Sequence, residues 1–161
     1  QFKGPTYPIP ACYISAVEKE IESMLNDKII ERSTSSYINP LVVVPKKSGE
    51  IRLCIDGRAI NSRIINDYDT NLGINELLSH GRNTQFLTTI DLTASYWQVP
   101  VTQNSRIYTA FRFKGKTYQF TRVPFGISIS QAALLRAIDT VFENETQDFM
   151  IMYIDDALIY S

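Results

Sequence analysis

Apolar residues recur along this chain with two different periods, and each period predicts a different kind of element. Val17, Ile21, Met24 and Leu25 fall on one face of a 3.6-residue turn, so a helix is expected from Ser15 to about Asn26. Ser15-Ala-Val-Glu18 reads as its capping box. A second helix, of roughly four turns, is expected from Ser130 to about Phe142, where Leu134, Leu135, Ile138, Val141 and Phe142 keep helical spacing. It is expected to pack under strands that carry acidic residues. Elsewhere the pattern shortens. Pro40–Pro45 and Glu50–Ile55 are brief apolar runs joined by Lys46-Lys-Ser-Gly49, which predicts a hairpin. Ile107–Phe113 and Thr117–Thr121 alternate aromatic with polar residues around a Lys-Gly-Lys turn, as antiparallel strands with one buried face do. Val123-Pro-Phe-Gly126 ends that hairpin, and a short helical stretch is expected around Ile74–Ser79. The first ten residues hold three prolines and one glycine and read as an extended arm.

Helices mixed with antiparallel hairpins make the chain α+β. Two of its strand-like runs are interrupted by acid. Asp155 and Asp156 stand side by side within Phe149–Ser161, and Asp91 closes Phe86-Leu-Thr-Thr-Ile-Asp-Leu92. Adjacent carboxylates in a buried strand pair are strongly unfavourable unless a cation accompanies them, and the usual cation for hard oxygen ligands is Mg²⁺. Two strands delivering carboxylate to one edge could hold two ions roughly 3.5–4 Å apart, an arrangement suited to nucleotidyl transfer. Taken singly, an aspartate at a strand end is more often a turn former or a helix cap.

With 161 residues and 44% hydrophobic content the chain can bury a real core, as one domain or two small lobes. Its formal net charge of −1 gives no global basicity, yet the charges are segregated. Arg106, Arg112, Lys114, Lys116 and Arg122 lie in a run without acid, whereas Asp139, Glu143, Glu145, Asp148, Asp155 and Asp156 lie in one without Lys or Arg. Such separation suits a protein that grips phosphate in one place and metal in another. Lys46 and Lys47 at the first hairpin tip are extended into a patch by Arg52 and Arg58. Cys12 and Cys54 have neither zinc-site nor disulfide spacing, which points to a reducing compartment. No run approaches the ~20 apolar residues of a membrane span, and no targeting signal is readable. The chain is expected to be soluble and intracellular, with no membrane partner and with His80 a surface residue.

Four ordered blocks carry a family resemblance. Arg52-Leu-Cys-Ile-Asp-Gly-Arg58, Thr89-Ile-Asp-Leu-Thr-Ala-Ser-Tyr96, Val123-Pro-Phe-Gly126 and Tyr153-Ile-Asp-Asp156 together resemble the fingers and palm of a reverse transcriptase, of the gypsy-like long-terminal-repeat retrotransposon and retroviral type. The resemblance implies a right-hand polymerase palm, an antiparallel sheet backed by helices. Residues 1–10 would then be the arm, 11–84 mainly fingers and 85–161 mainly palm, with the thumb absent. It implies metal binding and catalysis by Asp91, Asp155 and Asp156 with two Mg²⁺ ions, for which Mn²⁺ could substitute. Asp156 follows Asp155 directly, so both reach metal only if a tight turn separates them, which makes Asp156 the weaker ligand. Lys47, Arg52, Tyr96 and Phe125 would bind the incoming deoxynucleotide: Arg52 its triphosphate, with Lys47 as second contact unless Lys46 takes that place, and Tyr96 beneath the sugar. Arg58, Gly126 and Tyr153 would touch nucleic acid, with Gly126 allowing backbone to approach the ligand closely.

Two departures stand out. Gly57 replaces an aromatic residue usual between the Asp and Arg of the fingers block, and Gln131 stands where the family has a helix-starting proline, a change expected to weaken but not abolish that helix. The implied partners are an RNA or DNA template with primer, deoxynucleotides, and the thumb, connection and ribonuclease H regions of a longer polyprotein, with dimerisation possible. The implied setting is a cytoplasmic particle or the nucleus. Without a thumb, weak or absent stand-alone polymerisation is expected. The alternatives are a non-catalytic nucleic-acid-binding or scaffold protein derived from such an element, and a DNA-templated polymerase.

Overall fold

Val17, Ile21 and Met24 are the residues that the N-terminal helix Ile14–Asn26 buries, as their spacing requires, and Leu25 is half-buried. The computed structural model describes residue 2 and residues 4–65, 85–142 and 149–161. The stretch expected at Ile74–Ser79, His80, Glu143, Glu145 and Asp148 lie outside the described residues.

The expected capping box does not form. A 3₁₀ turn, Ala11–Tyr13, runs straight into the helix, so Tyr13 already has helical backbone angles and Ser15 lies inside the first turn. No extended residue remains there for a side chain to cap from. The other end is closed by backbone. Ile29 donates to the Met24 carbonyl (2.8 Å) and Lys28 to that of Leu25 (3.2 Å), the pair of bonds that defines a Schellman motif. Lys28 therefore occupies the left-handed position, with φ +56°, where glycine is usual.

The chain then forms β1 (Ile30–Arg32), the hairpin of β2 (Leu41–Pro45) and β3 (Ile51–Ile55), and the short helical turn Arg58–Asn61. The hairpin register pairs Val44 with Arg52 and Pro45 with Ile51, and Gly49 supplies the positive φ (+88°) its tip needs. β5 (Phe111–Phe113) and β6 (Lys116–Phe120) form the second hairpin, and β1 adds to give the antiparallel order β1-β6-β5. Lys114 (φ +45°) and Gly115 (φ +75°) are its two turn residues, the left-handed pair that matches strand twist.

The sequence misleads over Ile107–Thr109. These residues belong to a 3₁₀ segment, Gln103–Thr109, instead of extending β5. Side chains outcompete the ladder there: the Thr109 hydroxyl donates to the Arg106 carbonyl (2.7 Å) and accepts from the Phe120 amide (2.9 Å). Buried Asn39 also holds the segment's end, donating through Nδ2 to the carbonyls of Tyr108 (2.7 Å) and Ala110 (3.0 Å). One core joins helix, hairpin and sheet through Val17, Ile21, Met24, Leu53, Phe111 and Phe120. These elements make one compact unit, residues 4–65 with 96–130.

The other unit gathers described residues 85–95, 131–142 and 149–161. Its antiparallel sheet has the order β4-β8-β7, from β4 (Leu87–Asp91), β7 (Met150–Tyr153) and β8 (Asp156–Tyr160). The helix Ser130–Val141 forms despite Gln131, burying Ala132, Leu134 and Ile138. Val141, expected on that buried face, is 69% exposed because it ends the helix beyond the last buried turn. No helix among the described residues is long and apolar enough to cross a membrane.

Lys28→Gly is expected to stabilise the fold by about 1 kcal/mol, since it relieves a left-handed side chain at slightly greater entropic loss. Urea unfolding measures this, with the midpoint rising at constant slope.

Candidate functional site

Register places the acidic residues together at one end of the β4-β8-β7 sheet. Asp91, the last residue of β4, is the cross-strand partner of Asp156, the first residue of β8, and Tyr153 pairs with Asp156 from the other side. Asp155 is the second residue of the two-residue turn Ile154–Asp155 between β7 and β8, and its carbonyl accepts the Leu92 amide (2.8 Å). Asp155 thus lies in a tight turn, and Asp156 opens the strand directly after it. Ile154 leads that turn with φ +60°, a left-handed conformation strained for a β-branched side chain.

The expected burial of these carboxylates is not observed. Asp91 and Asp156 are exposed, Asp155 is half-buried, and all of β4 is exposed. Their position explains it, because the strands end there and water solvates charge that the sheet interior could not. Like charges directly opposite across a strand pair repel, so the row tolerates its charge through hydration. Oxygen donors of this kind match the chemistry of Mg²⁺, which retains waters and commonly takes only one or two protein carboxylates. Among the described residues, no three His, Cys, Asp or Glu side chains are gathered closely enough to enclose an ion.

In the first unit, Phe125 is the centre of an aromatic and cationic cluster. The Arg52 guanidinium lies 4.6 Å from its ring centroid, and the Tyr96 ring meets it edge-on at 5.0 Å. Trp97 packs against it at 6.2 Å, with its indole N–H buried and without a hydrogen-bond partner among the described residues. Arg52 is exposed because strand alternation turns it away from buried Ile51 and Leu53. Next to it, burial raises the Cys54 thiol pKa, so that thiol stays protonated.

Backbone contact fixes the Phe125 segment. A Cβ on Gly126 would lie 2.0 Å from the Ile55 carbonyl oxygen, and one on Gly57 would lie 2.1 Å from the Gly126 oxygen. Gly126 also has φ +105°. Gly126 thus makes a close backbone approach to the protein's own strand β3 on the side its Cβ would occupy. Gly57, which looked like a lost aromatic group, is buried against that crossing. Asn61 clamps it, donating to the Gly126 carbonyl (3.1 Å) and accepting from the Ser128 amide (2.9 Å). Sequence reasoning passed over Asn61; its position three residues after Arg58, at the end of a short turn, was a weak signal.

The basic residues divide by partner. Lys46 pairs with Glu50 (3.1 Å), whereas Lys47 is exposed and forms no salt bridge among the described residues. Arg58 is engaged by Asp56, whose carboxylate accepts from its Nε and Nη2, and Nη2 also donates to the Tyr7 hydroxyl (2.6 Å). Tyr7 donates to Asp56 (2.8 Å), tying the N-terminal arm to the fingers block. The expected patch is therefore smaller than a count of cations suggests. Arg58 holds the Asp56 carboxyl well below its ordinary range, and the bond to Asp56 pushes the Tyr7 phenol up.

Comparison with known proteins places the chain in a family. A family model described as reverse transcriptase (RNA-dependent DNA polymerase) matches residues 44–161. The retrovirus-related Pol polyprotein from transposon opus of Drosophila melanogaster is 33% identical, over 97% of this chain and 16% of its own length. That from transposon gypsy of the same organism is 32% identical, over 96% and 16% respectively. The foamy viral protease-reverse transcriptase, solved in complex with an RNA/DNA hybrid, superposes with a TM-score of 0.87 at 25% identity, covering 99% of this chain and 21% of that one. The chain thus spans about a sixth of the length of these curated relatives.

Gly126→Ala is expected to destabilise by roughly 2–4 kcal/mol, from overpacking plus a left-handed alanine, with a lowered urea midpoint as readout. The tether carries a pH dependence of definite sign. Asp56, depressed, contributes stability above the ordinary carboxylate pKa of about 4 and loses it as pH falls through its lower folded value; Tyr7, raised, contributes below about pH 10 and loses it as pH rises past its folded value. Protection of the amides within residues 4–10, measured as exchange relative to the free chain, should therefore persist between those limits. Tyr7→Phe, which removes the phenol's bonds to both Asp56 and Arg58, should reduce that protection.

Proposed function

Because this chain belongs to the reverse transcriptase (RNA-dependent DNA polymerase) family, we propose that it is the fingers and palm portion of an RNA-directed DNA polymerase that adds deoxynucleotides to a primer 3′-hydroxyl. The observation that carries this is the pairing of Asp91 with Asp156 at the sheet end whose turn holds Asp155, within the segment the family model matches.

Asp91, Asp155 and Asp156 would hold two divalent cations, Mg²⁺ with Mn²⁺ as substitute. Such ions supply Lewis-acid stabilisation of phosphoryl charge and a more acidic primer hydroxyl. Asp156, which follows Asp155 directly and sits opposite Asp91 in the ladder, would be the weaker ligand of the three. Arg52 would bind triphosphate oxygens through the edge of a guanidinium whose face rests on Phe125. Lys47 would be the second triphosphate contact, since Lys46 is occupied by Glu50. Tyr96, braced on Phe125, would lie beneath the sugar and exclude a 2′-hydroxyl by steric clash. Gly126 and Tyr153 would approach nucleic acid, and Arg58, while bound to Asp56, would contribute mainly through the exposed part of its guanidinium.

Catalysis would then be positioning and charge stabilisation, with no covalent enzyme intermediate. The primer-template, the nucleotides and the remaining polyprotein regions are the proposed partners. A domesticated scaffold would need none of the carboxylates.

Mn²⁺ titration of the folded chain is expected to show binding that Asp91→Asn and Asp155→Asn each weaken at least tenfold. Primer extension on an RNA template with labelled DNA primer should be weak for this chain alone and absent for Asp155→Asn. Binding of Mn²⁺ unchanged by both substitutions would refute the metal assignment and favour the scaffold.

A further inference from the structure

The acid-free run between Arg106 and Arg122 is only partly explained by the site above. Arg106 and Arg122 do not face the Arg52–Phe125 cluster through any contact described there; they line a separate groove of about 520 Å³ with Lys28 and Arg32. Four cations from different segments thus surround one concavity. Glu31 is its sole acidic lining residue, and it is engaged by Arg106 (3.3 Å) and by the Gln119 amide (2.7 Å). Lys28, Arg32 and Arg122 form no salt bridge among the described residues; Arg32 lies over the Tyr118 ring (4.5 Å) and Arg122 reaches the Gln98 carbonyl (3.4 Å). Among the described residues the groove therefore carries an excess of positive charge over its acidic lining.

A second observation is independent of charge. Lys28 holds the left-handed Schellman position at φ +56°, where glycine would be less strained. Backbone strain kept at a site against the local preference points to a use for the side chain that is kept. That side chain is exposed at the mouth of the basic groove.

We propose that this groove is an accessory binding site for the phosphodiester backbone of nucleic acid, with Lys28, Arg32 and Arg122 as its phosphate contacts. Three of the groove's four cations are arginines, whose planar forks match phosphate oxygens, and each neutralised phosphate would add to a salt-dependent affinity. The choice of nucleic acid over an acidic protein rests on the polymerase function proposed above.

The test is fluorescence anisotropy of the full chain with a labelled RNA/DNA hybrid bearing a template overhang, over a series of salt concentrations. Lys28→Gly and Lys28→Asn, both compatible with the left-handed backbone, and Arg122→Gln are each expected to reduce the slope of log K against log salt by about 0.7–0.9. This corresponds to a five- to eightfold loss at about 0.1 M salt if affinities converge near 1 M. Lys28→Arg should restore the slope, and Lys19→Ala, on the exposed helix surface, should leave it unchanged. Unfolding midpoints of the Lys28 variants, equal to or above the parent's, exclude a folding defect.

Slopes equal to the parent's in all three variants would overturn the groove assignment while leaving the polymerase function standing. Failure of the parent to bind nucleic acid would overturn the groove, and Mn²⁺ binding through Asp91 and Asp155 would still judge the catalytic assignment separately. Displacement by polyglutamate as effective as by oligonucleotide of equal charge would replace nucleic acid with an acidic protein as the partner. The expected pattern is loss of slope in the groove variants with full binding but no extension by Asp155→Asn.

Discussion

The geometry of the first unit depends on two backbones crossing at a distance that leaves no room for a side chain. The Ile55 carbonyl occupies the place where a Cβ of residue 126 would stand, and the Gly126 carbonyl does the same to residue 57. Glycine at both positions is a steric requirement, not a choice of flexibility. Around that crossing the remaining contacts follow: the Phe125 carbonyl accepts the Ile55 amide (3.2 Å), Asn61 bonds on both sides of Ile127, and the Ser130 hydroxyl anchors to the Pro124 carbonyl (3.0 Å). Phe125 is consequently held under Arg52 and against Tyr96 by main-chain geometry, before any ligand contributes. The cluster is preorganised, the condition under which a charged group can stabilise developing charge without reorganising.

Much of this was legible in the sequence where a local period and a tertiary demand agree. The β2–β3 hairpin formed at its expected residues because alternation, proline boundaries and a Gly49 turn all favour it. The N-terminal helix buried the face its spacing announced. Its capping box failed because a signal four residues long cannot report the 3₁₀ turn that precedes it. Ile107–Thr109 read as strand because aromatic alternation says nothing of Asn39, distant in sequence, bonding to the carbonyls of Tyr108 and Ala110. The role of Gly57 was invisible for the same reason. A missing side chain looks like a loss until the atom that fills its place is known, and that atom lies on residue 126.

The acidic residues show how identity and environment can separate. Two aspartates within an apolar run suggested burial, and burial suggested a cation. The structure pairs Asp91 with Asp156 through register yet leaves both exposed, so hydration contributes to tolerating their like charge. The argument from burial failed, whereas the strand register that sets Asp91 opposite Asp156 follows from the strand-like runs the sequence announces.

Strain follows the same geography. Ala94, three residues beyond Asp91, has φ +51°, and Ile154, immediately before Asp155, has φ +60°. Neither residue is glycine, so each turn stores energy next to a charge that repels its neighbour. Two unfavourable terms concentrated at one sheet end lower the local stability there relative to the apolar rows Met150–Ile159 and Met152–Ala157. On the proposed function this is a consistent arrangement. A cation shared by the carboxylates would remove the repulsion and offset the turn strain together, so the end of the sheet that is least settled alone would be the one to gain most from such a ligand.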